Sequence, residues 1–147
     1  MNITNKEYSK LTKRLSPGSK LYITVPKAFV IGGLICMLGQ GISNFFLSLG
    51  LDKTTAAAET SITLIFLSAL FTGFKIYDRI AKHGGAGTLV PITGFANAVV
   101  SPALEFKTEG FILGTAAKMF IIAGPVIVYG ISASVLYGLI LFVFRNM

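Results

Sequence analysis

The chain has 147 residues, 53% of them hydrophobic and only 13% charged, with a formal net charge of +7. Soluble chains carry about 25% charged residues, so this composition cannot cover a water-facing surface and excludes an ordinary soluble domain. It also disfavours a nucleic-acid binder: residues 1–27 hold six of the 13 Lys and Arg against one acid, Glu7, beside a hydrophobic run. That placement fits attraction to anionic lipid headgroups, about 1 kcal/mol per basic residue near the surface.

The expected fold is an all-α integral membrane protein with about four hydrophobic helical segments, behind an N-terminal amphipathic basic helix. Residues 1–27 form a basic cytoplasmic or interfacial leader, and residues 28–147 a single transmembrane helical domain. Within the leader, 4–16 reads as a short helix. Thr4 and Glu7 have the spacing of a capping box, and Tyr8, Leu11 and Leu15 share one face. Lys6, Lys10, Lys13 and Arg14 fill much of the rest, and Pro17-Gly18 ends the helix. The leader is too long, and the following apolar run too long, for a cleaved signal peptide.

The first span is Ala28–Leu51, flanked by Lys27 and Asp52 and free of charge. As a helix it would be about 36 Å long at about 1.5 Å per residue. Gly32, Gly33, Gly39 and Gly41 leave smooth backbone for helix packing, and Gln40 and Asn44, one turn apart, are amides that seek a neighbouring helix. Cys36 lies inside this run; one thiol makes neither an intrachain disulfide nor a metal site.

The second span is Thr54–Phe74, closed by Lys75, with Glu59 at a costly depth. Residues 75–87 read as a charged loop containing a solvated His83. The third segment, Thr88–Leu104, carries Pro91, Gly94, Asn97, Ser101 and Pro102 and is broken or re-entrant. A continuous helix there reaches only about 26 Å, and irregular backbone at membrane depth survives only inside protein or along a wet cavity. Thr93, Asn97, Ser101 and Glu105 recur every four residues, a polar stripe that is either a hydrogen-bonded seam or one wall of a solute path. Phe111–Phe144 is apolar apart from Lys118 and too long for one span; Gly124-Pro125 is expected to divide it. Gly130, Ser134 and Gly138 then form a helix-packing stripe.

The positive-inside rule places the N-terminus in the cytoplasm. Four spans would put the C-terminus inside as well; a re-entrant hairpin over 88–123 would put it outside. No catalytic constellation, cofactor motif or metal-ligand set is present, so no enzyme is expected. Glu105 and Glu109 read as loop flanks that pair with Lys107 or Lys118.

The stretch from Leu89 through Lys107, continuing through Glu109-Gly110 and Ala117–Phe120 to Ala123–Gly130, resembles the stage V sporulation protein AC/AE membrane family of spore-forming Firmicutes. Gly32–Cys36 and Gly39-Gln40 are similar too, and the basic leader and the length match the longer AC branch. The resemblance implies residence in the inner membrane of the spore. It implies a complex that moves dipicolinic acid, with its calcium, into the forespore and out at germination. It further implies two partners: the AE membrane subunit and a soluble thiolase-like AD subunit at the cytoplasmic face. On that basis Thr93, Asn97, Ser101, Glu105 and Lys118 are solute-path candidates. The alternative is a structural or anchoring subunit that packs beside the conduit and docks the soluble partner.

Overall fold

The computed structural model describes residues 4–15 and 20–146, without the side chains of Asn5, Lys6, Lys10, Lys13, Arg14 and Asn146. The expected Pro17-Gly18 stop and the basic face of the leader lie outside the described residues.

Helix α1 (Asn5–Leu15) starts at the capping-box pair. The Glu7 carboxylate accepts from the Thr4 backbone N–H at 3.0 Å and from its hydroxyl at 2.8 Å. These bonds, the backbone one foremost, hold the Glu7 carboxyl below its usual range. Tyr8, Leu11 and Leu15 are all exposed.

Three helices are long and apolar enough to cross a membrane: Leu21–Ser48, Lys53–Gly73 and Phe111–Arg145. The first, α2 (Leu21–Ser48), begins seven residues before the expected span and runs through Pro26 and Lys27. Leu21, Tyr22, Ile23 and Val25 extend its apolar surface, and a Lys near a helix end reaches the interface along its own stem.

A short turn with Gly50 at φ +88° leads to α3 (Lys53–Gly73). Asp52 caps it, accepting from the N–H groups of Thr54 and Thr55 at 3.0 and 3.2 Å and from the Thr55 hydroxyl at 2.5 Å. The Thr55 bonds lead in lowering its carboxyl below the usual range. A depressed pKa means that this cap contributes fully above the unfolded-state value, and that its contribution is lost as pH falls through the folded-state one. Melting of the detergent-solubilised protein should therefore drop at acid pH through Asp52. An Asp52→Asn variant, which keeps a capping oxygen but has no such titration, should show a measurably shallower acid limb.

The expected loop 75–87 is helical instead. Helix α4 (Ile76–Gly84) and the single turn α5 (Ala86–Leu89) occupy it. The reason is amphipathic: Tyr77 and Gly84 are buried while the charged residues point away. His83 is exposed as expected, its Nδ1 3.0 Å from the Arg79 carbonyl oxygen within α4.

The break in the third segment falls at Val90-Pro91, and α6 (Ile92–Glu105) follows, with Pro102 inside it. Its 14 residues reach about 21 Å at about 1.5 Å each, too short for a bilayer core of roughly 30 Å. A 3-10 turn (Phe106–Glu109), Gly110 and a π-helical turn (Phe111–Ala116) then lead into α7 (Ala117–Asn146). The expected division at Gly124-Pro125 does not occur, because α7 runs unbroken through Pro125. In lipid, continuing the helix costs one lost bond at Pro125, whereas breaking it would orphan several backbone groups.

Within the chain, α6 packs chiefly on α3, and α2 on α3, α4 and α5. The α2–α5 crossing is backbone on backbone: a Cβ at Gly32 would lie 3.1 Å from Gly87 Cα, and one at Gly87 would collide with the Ala28 carbonyl oxygen. Gly130 and Gly138 face open space, so their stripe packs against nothing within the chain. The Ser134 hydroxyl between them donates to the Gly130 carbonyl at 2.8 Å.

Candidate functional site

Two hydroxyls one turn apart on α3, Ser68 and Thr72, meet two polar residues one turn apart on α6, Thr93 and Asn97. The Ser68 hydroxyl donates to the Thr93 carbonyl oxygen at 2.6 Å. Thr72 Oγ1 lies 2.7 Å from the Ser68 carbonyl oxygen and 2.8 Å from Asn97 Oδ1. A hydroxyl has one proton, so when it goes to the Ser68 carbonyl the Asn97 amide must meet Thr72 through its –NH2 edge. Because residue 68 sits beside 93 and 72 beside 97, α6 runs alongside α3 in the same direction.

The seam closes at Tyr77 of α4, only 5% exposed. Its hydroxyl lies 2.8 Å from the Thr88 carbonyl oxygen and 2.9 Å from Thr93 Oγ1. The phenol donates to the carbonyl and accepts from Thr93. Gly94 makes the turn possible, since a Cβ there would run into the carbonyl oxygens of Thr88 and Leu89. Among the described residues no buried side-chain polar atom lacks a partner. Tyr77→Phe would orphan the Thr88 carbonyl and strip Thr93 of its acceptor. The expected loss is about 1–3 kcal/mol of unfolding free energy, measured by denaturant titration in detergent. The same loss should follow from Thr93→Val, with strong non-additivity in the double variant.

The four-residue stripe therefore divides. Thr93 and Asn97 belong to the packed seam. Ser101, half-buried, and Glu105, exposed, line an open cleft of about 420 Å³, together with Thr72, Gly73, Lys75, Asp78 and Leu104. The cleft thus offers the Ser101 hydroxyl, one ammonium and two carboxylates, while the Thr72 hydroxyl at its floor is held in the seam. Lys75 enters it from an unusual backbone: at φ 59°, ψ 22° it is the one non-glycine residue with positive φ among those described. The left-handed conformation costs a residue with a Cβ about 1–2 kcal/mol, and such strain concentrates where a side chain must be aimed.

Lys118 does not join them. Its Nζ sits 4.0 Å from the centre of the Phe106 ring, a cation–π contact. No ion pair links it to Glu105 or Glu109 among the described residues, contrary to the expected pairing. No cluster of His, Cys, Asp or Glu suited to a metal occurs among the described residues. A second groove, about 360 Å³, lies between α2 and α3 and is walled by Ile31, Leu34, Leu38, Leu64 and Phe71. It carries no charge.

Ser68, Thr72, Tyr77, Lys75 and Asp78 were not singled out by the sequence. The pairing of Ser68 and Thr72 with Thr93 and Asn97 had a signal, the shared four-residue spacing. Tyr77 and the backbone of Lys75 had none.

The model of the SpoVAC/SpoVAEB sporulation membrane protein family matches residues 24–140. The chain is 45% identical over 148 residues to Stage V sporulation protein AC of Bacillus subtilis (strain 168), covering 100% of this chain and 99% of that protein. No solved structure matches significantly. The family match spans the short α6, the seam and the cleft as well as most of the three long helices, and the alignment to the Bacillus subtilis relative covers the whole chain: this is a member of the SpoVAC/SpoVAEB family of sporulation membrane proteins.

Proposed function

We propose that this chain is a non-enzymatic conduit subunit that moves dipicolinic acid, with calcium, across the inner membrane of the forespore and spore. The proposal joins the family's sporulation role to one observation: the polar stripe of α6 leaves the packed seam at Ser101 and Glu105 and opens into a mixed-charge cleft. Dipicolinate is a planar dianion and its calcium chelate is nearly neutral. A path for either needs hydroxyls and balanced charges rather than a strong field of one sign. Lys75 meets a carboxylate of the solute. Asp78 and Glu105 face its calcium, which takes roughly six to eight oxygens and is not filled by one dipicolinate.

With the N-terminus cytoplasmic, α2 and α3 cross out and back. The segment α4–α6 then re-enters from the cytoplasmic side, which sets the cleft at that mouth, and α7 carries the C-terminus outward. The AE membrane subunit completes the wall and the thiolase-like AD subunit docks at the cytoplasmic side.

Ser101→Leu is the cleanest test, because Ser101 lines the cleft and takes no part in the seam, whereas Asn97→Leu also removes the bond to Thr72. In sporulating cells with this chain as sole copy, Ser101→Leu should leave the protein in the membrane and cut spore dipicolinate content severely. Normal content would refute the conduit reading. The second reading, an anchoring subunit, draws on Thr93 and Asn97 being spent on packing. It expects Ser101→Leu to be mild and loss of the leader, residues 1–22, to abolish assembly.

A further inference from the structure

Helix α2 has two faces with different needs. One packs inside the chain: Gly32 lies on Gly87, Gly39 on the Leu64 side chain, and Ile31 beside Gly84. At 100° per residue, Gly33, Met37, Gln40, Gly41 and Asn44 fall together on the side turned away, and all five are exposed. Gln40 stands thirteen residues after Lys27 and twelve before Asp52, the middle of the uncharged run. Gln40 also lies eight residues, about 12 Å, before the last residue of α2, which sets it inside a hydrocarbon core of roughly 30 Å.

The two amides satisfy each other only in part. Gln40 Nε2 donates to Asn44 Oδ1 at 2.8 Å. This leaves the Gln40 carbonyl oxygen and its second amide hydrogen unmet inside the span, and both Asn44 amide hydrogens unmet one turn from its end. A lipid tail offers no partner for any of them, and an unmet amide there is costly.

We infer that this face of α2 is the interface with the same face of a second copy of this chain. The leftover groups include both donors and an acceptor, so the face is self-complementary. Two copies inserted in the same sense run α2 parallel to α2 and bring Gln40 opposite Gln40 at one depth. A partner helix with only apolar side chains at that depth would leave these groups unmet, whereas a second copy brings matching donors and acceptors. A Cβ at Gly33 or Gly41 would meet nothing within 4 Å, so the backbones can approach closely. This inference is independent of the solute.

The test uses the full chain in lipid vesicles, with Cys36→Ser to remove its single thiol. Met37→Cys reports on the proposed interface. Ile62→Cys on α3 is the control, since Met37 and Ile62 are similarly exposed, 72% and 59%. Under mild oxidant Met37→Cys should form disulfide-linked dimers at least about tenfold faster than Ile62→Cys. Adding Gln40→Leu and Asn44→Leu should weaken pairing about tenfold, the scale of amide bonds between membrane helices. Both leucines lie away from the chain's own packing, and the Met37–Ile62 comparison stands without them. Cross-linking of Met37→Cys no faster than the control, or unchanged by the two leucines, would overturn the inference.

Discussion

Replacing Gly87 by alanine should unfold the half of the bundle built around the α2–α5 crossing. The added Cβ would enter the Ala28 carbonyl oxygen of α2, and backbone cannot yield as a side-chain tip can. Relief requires α5 to lift off α2. With it would move Thr88, whose carbonyl holds Tyr77 and whose neighbours border Gly94. Overpacking alone costs about 1–3 kcal/mol, and opening the Tyr77–Thr93 bonds adds about 1–3 kcal/mol more. Thermal melting in detergent should fall so far that little folded Gly87→Ala protein is recovered. Gly32→Ala, across the same contact but with 3.1 Å of clearance, should be recovered folded and only mildly destabilised. Equal stability of Gly87→Ala and the wild type would mean that the α2–α5 crossing is looser than described.

Lys75→Gly should have opposite effects on stability and transport. Glycine accepts φ 59° without penalty, so relief of about 1 kcal/mol should raise the melting temperature. The same change removes the cleft's ammonium, the single positive group among its lining residues. If that group receives the solute's carboxylate, dipicolinate flux should drop about tenfold or more, the scale of a charge-assisted hydrogen bond. Lys75→Arg, which keeps the charge and the strain, should restore much of the flux without the gain in stability. A stabilised Lys75→Gly protein with unchanged flux would show that the cation has no part in transport.

The long helices were legible because in lipid a span is specified by length and apolarity alone. Lys53–Gly73 came within a residue of its expected bounds for that reason. The start of α2 was misplaced because Lys27 reads as a boundary in composition, whereas a lysine stem tolerates the helix end. By its charge density the segment 75–87 points to a loop. Its burial of Tyr77 depends on a hydroxyl partner on α6, a long-range contact that no local pattern announces. Pro125 misled by the opposite route: proline's rule in water, that it ends helices, weakens where nothing but the helix can satisfy the backbone. For the site, spacing revealed the stripe at 93, 97, 101 and 105 but not its division. Which half packs and which half opens is decided by Ser68 and Thr72 on α3, and by where α3 ends. Lys118 joins the stripe only by its place in the resembling block, and the structure sets it on Phe106.

The most direct measurement is dipicolinate release from liposomes that hold this chain with the proposed AE-type membrane partner, wild type against Ser101→Leu, with folding checked by circular dichroism. Release from the wild type that is lost in folded, inserted Ser101→Leu is the expected result and makes the cleft part of the path. Equal release from both, or none from the wild type, would contradict the account and leave this chain as a scaffold beside a conduit made by others.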